Sequence, residues 1–206
     1  MTINRAVIAL GLGAIFLTLK ADNCLIEDRT LEAVVTKTLP YVWHTQGNNA
    51  SGSEMASASL AGDVDDALDE FDGLVEITSI HIAGSTYRVV ANRGFVGAHQ
   101  GTVTIEASGQ SPLTILTYDV PNPPGNATGA SGGTGVDISL VAAGINFLNS
   151  RLDQYLISRN PLLLNFTFRT NWTSTDPGET AAYDFDWETA LILQVVGLVE
   201  VQVPNP

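Results

Sequence analysis

Two runs of carboxylates, one serine motif and a lone cysteine are the residues of this chain whose types and spacing suit chemistry. In the first run Asp63, Asp65, Asp66, Asp69, Glu70 and Asp72 crowd a short stretch. Set against a calcium loop opening at Asp63, the fifth position is Ala67, Leu68 stands where glycine is required, and Leu74 takes the twelfth place in lieu of glutamate. The acidic opening of a helix explains the run with fewer assumptions. In the second run, Tyr183-Asp184-Phe185-Asp186-Trp187-Glu188, strict alternation puts the aromatics on one face of a strand and Asp184, Asp186 and Glu188 on the other. Three carboxylates in line make a weak metal candidate, for Ca²⁺; a solvated strand face follows from the binary pattern alone.

Gly129-Ala130-Ser131-Gly132-Gly133 matches the G-x-S-x-G nucleophile elbow in form. In hydrolases built on that elbow the histidine follows the serine, whereas His44, His81 and His99 all precede Ser131. The motif also lies in PNPPGNATGASGGTG, Pro121 to Gly135, which reads as a surface loop and not as the end of an apolar strand. A Ser131→Ala substitution is therefore expected to change neither activity nor stability. A phosphate loop fails for want of its G-K-[ST] ending, and Phe16 stands at the third glycine of a dinucleotide fingerprint. No two histidines have ligand spacing and no CxxC exists, so zinc is not expected. The chain's 22 carboxylates would furnish the acid pair of a glycoside hydrolase, but no spacing singles one out. Neither a catalytic constellation nor a cofactor site emerges.

Among the elements of the chain, the first 24 residues stand apart. Ala6 to Leu19 is apolar except for Thr18, with Arg5 before it and Lys20 after it. As a helix those residues reach about 21 Å, short of a hydrocarbon core of about 30 Å, which is the length of a signal-peptide core. Arg5 and Lys20 can snorkel to the two interfaces, however, and Ile3 and Ala21 extend the apolar surface, so that residues 3–21 serve as a short membrane anchor. The junction suits no peptidase: Leu19-Lys20-Ala21 is a poor A-x-A site, and Ala21-Asp22-Asn23 before Cys24 departs from a lipoprotein signal. A retained anchor is the first expectation, a cleaved signal the second and lipidation of Cys24 the third. Positive charge ahead of the span and Asp22, Glu27 and Asp28 behind it place the N-terminus in the cytoplasm and the domain in the periplasm or extracellular space. Ala6, Ala9 and Gly13 share one helical face, a small-residue surface against which another helix can pack.

The remainder, 25–206, reads as one acidic β-rich domain. The chain has 22 acidic and 9 basic residues, a formal net charge of −13, which disfavours nucleic acid because nothing neutralises a row of phosphates. With one cysteine there is no internal disulfide. Runs such as LEAVV, LVEITSIHIA, TYRVVA, GTVTIEA, PLTILTYDV and LLLNFTFRT are β-branched, aromatic and punctuated by glycine or proline, the pattern of antiparallel strands. Ala190 to Val203 reads as a further half-buried strand. Two helices are expected: Asp63 to Asp72, stopped by Gly73, and Ile138 to Ser158, capped by Asp137 and ended at Asn160-Pro161. The fold class is thus mainly β (α+β): an N-terminal hydrophobic helix followed by an antiparallel β-sandwich-like domain with two packed helices. The N-x-[ST] triplets at Asn49, Asn126, Asn165 and Asn171 are what chance yields in a chain so rich in Ser and Thr.

The functional expectation is a non-catalytic, membrane-anchored accessory subunit of a larger membrane complex, with respiratory and photosynthetic assemblies as examples. Its partners would be other membrane-protein subunits and the lipid around residues 3–21. Behind it come a secreted or surface-exposed adhesin-like β-sandwich binding carbohydrate or protein and, more remotely, a carboxylate-dependent hydrolase.

Overall fold

The computed structural model describes residues 26–47, 51–71, 73–94, 98–121, 135–175 and 183–204. Two antiparallel sheets face one another. Sheet A has the order β1 (Ile26–Gly47), β9 (Tyr183–Pro204), β3 (Leu74–Asn92), β6 (Val136–Asp137), and sheet B the order β2 (Ser51–Ser59), β8 (Asn165–Thr175), β4 (Ala98–Glu106), β5 (Leu113–Val120), β7 (Ser139–Leu140). Every pairing is antiparallel. Helix α1 spans Ala61–Leu68 and α2 Ala142–Ser158, with a 3₁₀ turn at Pro161–Leu164 leading into β8. The mainly β architecture with two helices agrees with the alternation in the sequence. No helix among the described residues is long and apolar enough to cross a membrane, and residues 1–25 lie outside the described set.

Alternation fixes which side chains meet between the sheets. On β9 the odd residues Phe185, Trp187, Leu191, Leu193 and Val195 are fully buried, while the even ones lie on the opposite face, where Glu188 and Ala190 are also buried and the other described ones are at least partly exposed. Across the gap, Tyr41 of β1 lies 4.2 Å from Phe168 of β8, ring centre to ring centre, and Tyr87 of β3 lies 5.4 Å from Tyr118 of β5. Within sheet A, Trp43 and Trp187 sit opposite each other with centres 5.8 Å apart. Each indole N–H donates to a neighbouring threonine at 3.0 Å, Trp43 to Thr189 and Trp187 to Thr45. The two large rings thereby bury their area without orphaning their polar atoms.

The helices serve the same core. Val64, Ala67 and Leu68 of α1 and Ile145, Leu148, Leu152 and Tyr155 of α2 are buried. Asn149 accepts a hydrogen bond from Ile82 N–H at 2.9 Å, tying α2 to β3. Lys37, an inward position of β1, reaches Asp66 at 2.9 Å and Asp63 at 4.0 Å on α1.

Both helices begin differently from expectation. α1 starts at Ala61 and ends at Leu68, with Asp63 inside its first turn; Gly73, at φ 68°, belongs to the turn into β3. α2 starts at Ala142 and Asp137 does not cap it, because residues 136–140 are extended and cross from sheet A to sheet B. Ile138 N–H goes to Ser85 O and Val141 N–H to Ile115 O, so those groups serve strand pairing before any helix can use them. The runs LVEITSIHIA and TYRVVA form one strand, β3, with register shifts against β9 that absorb the intervening glycine. Leu162 to Leu164 of LLLNFTFRT belong to the 3₁₀ turn.

Candidate functional site

The outward face of sheet A gathers the charged residues of greatest chemical interest. Asp184, Asp186 and Glu188 alternate along β9 with Phe185 and Trp187 on the other side, so the expected division of faces holds for these five. Register then brings partners from 100 or more residues away. His44 of β1 lies directly opposite Asp186, and Arg88 of β3 opposite Glu188. Arg93, just past β3, is positioned by its own N–H on Asp184 O at 2.8 Å.

Each of the three carboxylates is taken. Arg88 holds Glu188 through Nε and Nη2 at 3.0 and 2.9 Å. Arg93 donates to Asp184 at 2.9 Å through Nε and to Asp186 at 2.8 and 2.9 Å through Nη1 and Nη2. His44 Nδ1 lies 2.7 Å from Asp186 Oδ1. Hydrogen bonds from Arg93, and secondarily His44, hold the Asp186 carboxyl below the usual carboxylate range; the same bonds raise Arg93 further above its ordinary value. The oxygens that would coordinate a cation are therefore satisfied by guanidinium groups. Among the described residues no cluster of three or more His, Cys, Asp or Glu is placed to hold a metal ion, so the reading of Asp184, Asp186 and Glu188 as metal ligands finds no support in their geometry. The first acidic run is likewise engaged: Asp63 and Asp66 with Lys37, and Asp65 with the Tyr155 hydroxyl at 2.8 Å and Arg159 at 3.4 Å.

Glu54 of β2 completes this end of the molecule. It accepts the His44 backbone N–H at 2.9 Å, bridging the adjacent edges of the two sheets. Partial burial raises its pKa, against hydrogen bonds that lower it. Two carboxyl groups near His44 are thus displaced in opposite directions, a pattern seen in acid–base pairs. Asp186, however, is closed off by Arg93, and a carboxylate so occupied is suited to holding strands together, not to moving protons. His44, Glu54 and Arg93 escaped sequence analysis, because nothing local marks residues that become neighbours only when β1, β2 and β9 align.

Beneath this cluster lies His99 of β4, fully buried among Tyr87, Tyr118, Trp172, Phe185 and Trp187, with ring centres 4.7 to 5.6 Å away. Its Nδ1 and the Tyr87 hydroxyl are 2.8 Å apart, a hydrogen bond across the sheets whose donor depends on the tautomer. Burial lowers its pKa from 6.5 to about 3. Gly101, two residues on, has no room for a Cβ against Tyr118 Oη and Asn171 O, so glycine is what admits the tyrosine beside the histidine.

The membrane-packing residues Ala6, Ala9 and Gly13, the flanking Arg5 and Lys20, Cys24, and Ser131 in its glycine-rich loop lie outside the described residues.

No family model and no curated protein matches this chain. Among solved structures, chains of the infectious bursal disease virus Gx and Gt strains are 13% and 12% identical, over 97% and 95% of this chain and 46% and 48% of theirs, each with a TM-score of 0.25. This chain spans about half the length of those chains, and a likeness at that level carries no argument.

Proposed function

We propose that this protein is a non-catalytic accessory subunit of a larger membrane assembly, tethered through residues 3–21 with its β-sandwich on the extracytoplasmic side. One observation supports the reading above others. β1 and β9 run on together to Ile26 and Pro204, and where they leave the body of the sandwich Leu31, Val34, Leu74 and Val75 are 50, 52, 38 and 60% exposed. Apolar side chains exposed on both faces of the end that joins the hydrophobic segment suit a domain packed on other subunits beside a membrane. The neutralised carboxylate clusters favour a binding role over catalysis.

The test is made on protein extracted from its own membranes. Its intact mass should include residues 1–24; a mass beginning at Asp22, or at a lipidated Cys24, overturns the tether. Gly13→Leu adds apolar surface and leaves insertion intact, yet bulk on the Ala6, Ala9, Gly13 face should free the protein from its complex on native electrophoresis while the β domain stays folded. A complex of unchanged size would sink the proposed helix contact.

A further inference from the structure

The outward face of sheet B is rich in neutral polar side chains. Across β2, β8 and β4 its alternate positions are serine, threonine, asparagine or glutamine, interrupted by Met55, Ala98, Arg169 and Glu106. In a chain of net charge −13 this face is nearly neutral. At its end, where β8 begins and β4 finishes, lies a groove of about 580 Å³ whose lining includes Ser57, Ser59, Glu106, Ser108, Asn165 and Thr167. Ser57, Thr167 and Glu106 stand in one cross-strand row, and Ser59 is paired with Asn165 in the next. Such rows lie about 4.8 Å apart from strand to strand, and same-face residues about 6.8 Å apart along a strand.

None of these six polar side chains has a hydrogen-bond partner among the described residues, in contrast to the charged cluster on sheet A, where partners are complete. Hydroxyl groups both donate and accept, the asparagine amide does each at a different atom, and Glu106 accepts. All but Ser108, which stands in the turn after β4, sit on paired strands, so little ordering is required of them when a ligand arrives. The matching chemistry is a neutral polyhydroxyl compound. Anions meet the Glu106 carboxylate and an acidic protein, while a lone carboxylate is too little for a metal ion. We propose that this groove is a binding site for a neutral glycan, its sugar hydroxyls exchanging hydrogen bonds with Ser57, Asn165, Thr167 and Glu106. The inference does not depend on the tethering reading.

The experiment is calorimetric titration of the detergent-solubilised full chain with cellohexaose, maltohexaose, chitohexaose and mannohexaose. Saturable binding of at least one is expected. Thr167→Val, which removes a hydroxyl and keeps a strand-forming side chain, and Asn165→Ala should each weaken it roughly tenfold, the size of one lost hydrogen bond to a ligand. Thr38→Val on the outer face of sheet A should leave it unchanged. Each variant is taken only with a wild-type melting transition, and Glu106→Gln, which keeps shape and alters one acceptor, replaces either that fails. Absence of binding to all four sugars, or binding indifferent to the groove substitutions, overturns the proposal.

Discussion

The Tyr41 hydroxyl is buried without a hydrogen-bond partner among the described residues, although its ring lies on Phe168. Burial, with Asp63 second, pushes its ionisation well above the ordinary tyrosine range. An orphaned buried hydroxyl costs free energy that a phenylalanine of the same shape avoids. Tyr41→Phe is therefore expected to stabilise the protein by about 1 kcal/mol, read as a higher urea midpoint at unchanged slope; a lower midpoint would mean that the hydroxyl has a partner in solution. The contrast with Tyr155 is instructive, since its hydroxyl meets both oxygens of Asp65 at 2.8 Å. Residues of one type thus differ in worth by where their last atom lands, which no reading of composition reveals.

Among the elements, α2 comes closest to its neighbour at Gly144, where a Cβ would run into Thr114 O and Ile115 of β5. Alanine there must push the helix off the sheet, at about 1–3 kcal/mol as for other overpacked cores, despite being the better helix former. Gly144→Ala should lower the thermal midpoint; a rise would show that propensity outweighs the contact. The apolar period 145–148–152–155 made α2 legible, and the alternation in YDFDWE did the same for the faces of β9. β2 was invisible because SGSEMASAS has no β-branched or aromatic residue; pairing with β8 makes it a strand, not propensity. The length of β1 was hidden too. His44 N–H reaches Glu54 and not β9, so even-numbered residues of this edge strand point their N–H away from the sheet, and Pro40 falls at one of them. A proline that would break an interior strand is harmless on that edge. The groove on sheet B was equally out of reach of local reading, since Ser57, Glu106 and Asn165 become one surface only through register.

For the molecule as a whole, the His99–Tyr87 bond joins the two sheets, and the described residues packed around it, Tyr87 from β3, Tyr118 from β5, Trp172 from β8, and Phe185 and Trp187 from β9, are all neutral near pH 7. The folded protein keeps His99 neutral down to about pH 3, whereas the unfolded chain takes up the proton below 6.5. Stability from this group is fully present above pH 6.5 and declines as the pH falls toward 3. Between pH 7 and about 4.5 the loss should be roughly 2–3 kcal/mol. Glu54 and Asp63, whose pKa values are raised, change stability in the opposite direction, so denaturant unfolding of wild type is compared with His99→Gln. The wild type should lose more on acidification; equal losses would exclude His99 as the cause. β9 has a consequence of another kind. It is the strand on which β1 and β3 both pair, and it lies more than 130 residues beyond the end of β1. A ribosome must release residues 183–204 before sheet A has a centre, so the emerging chain stays open until then, and pairing over so long a separation is slow. A polypeptide that stays open until its last long strand arrives can be threaded across a membrane before it folds.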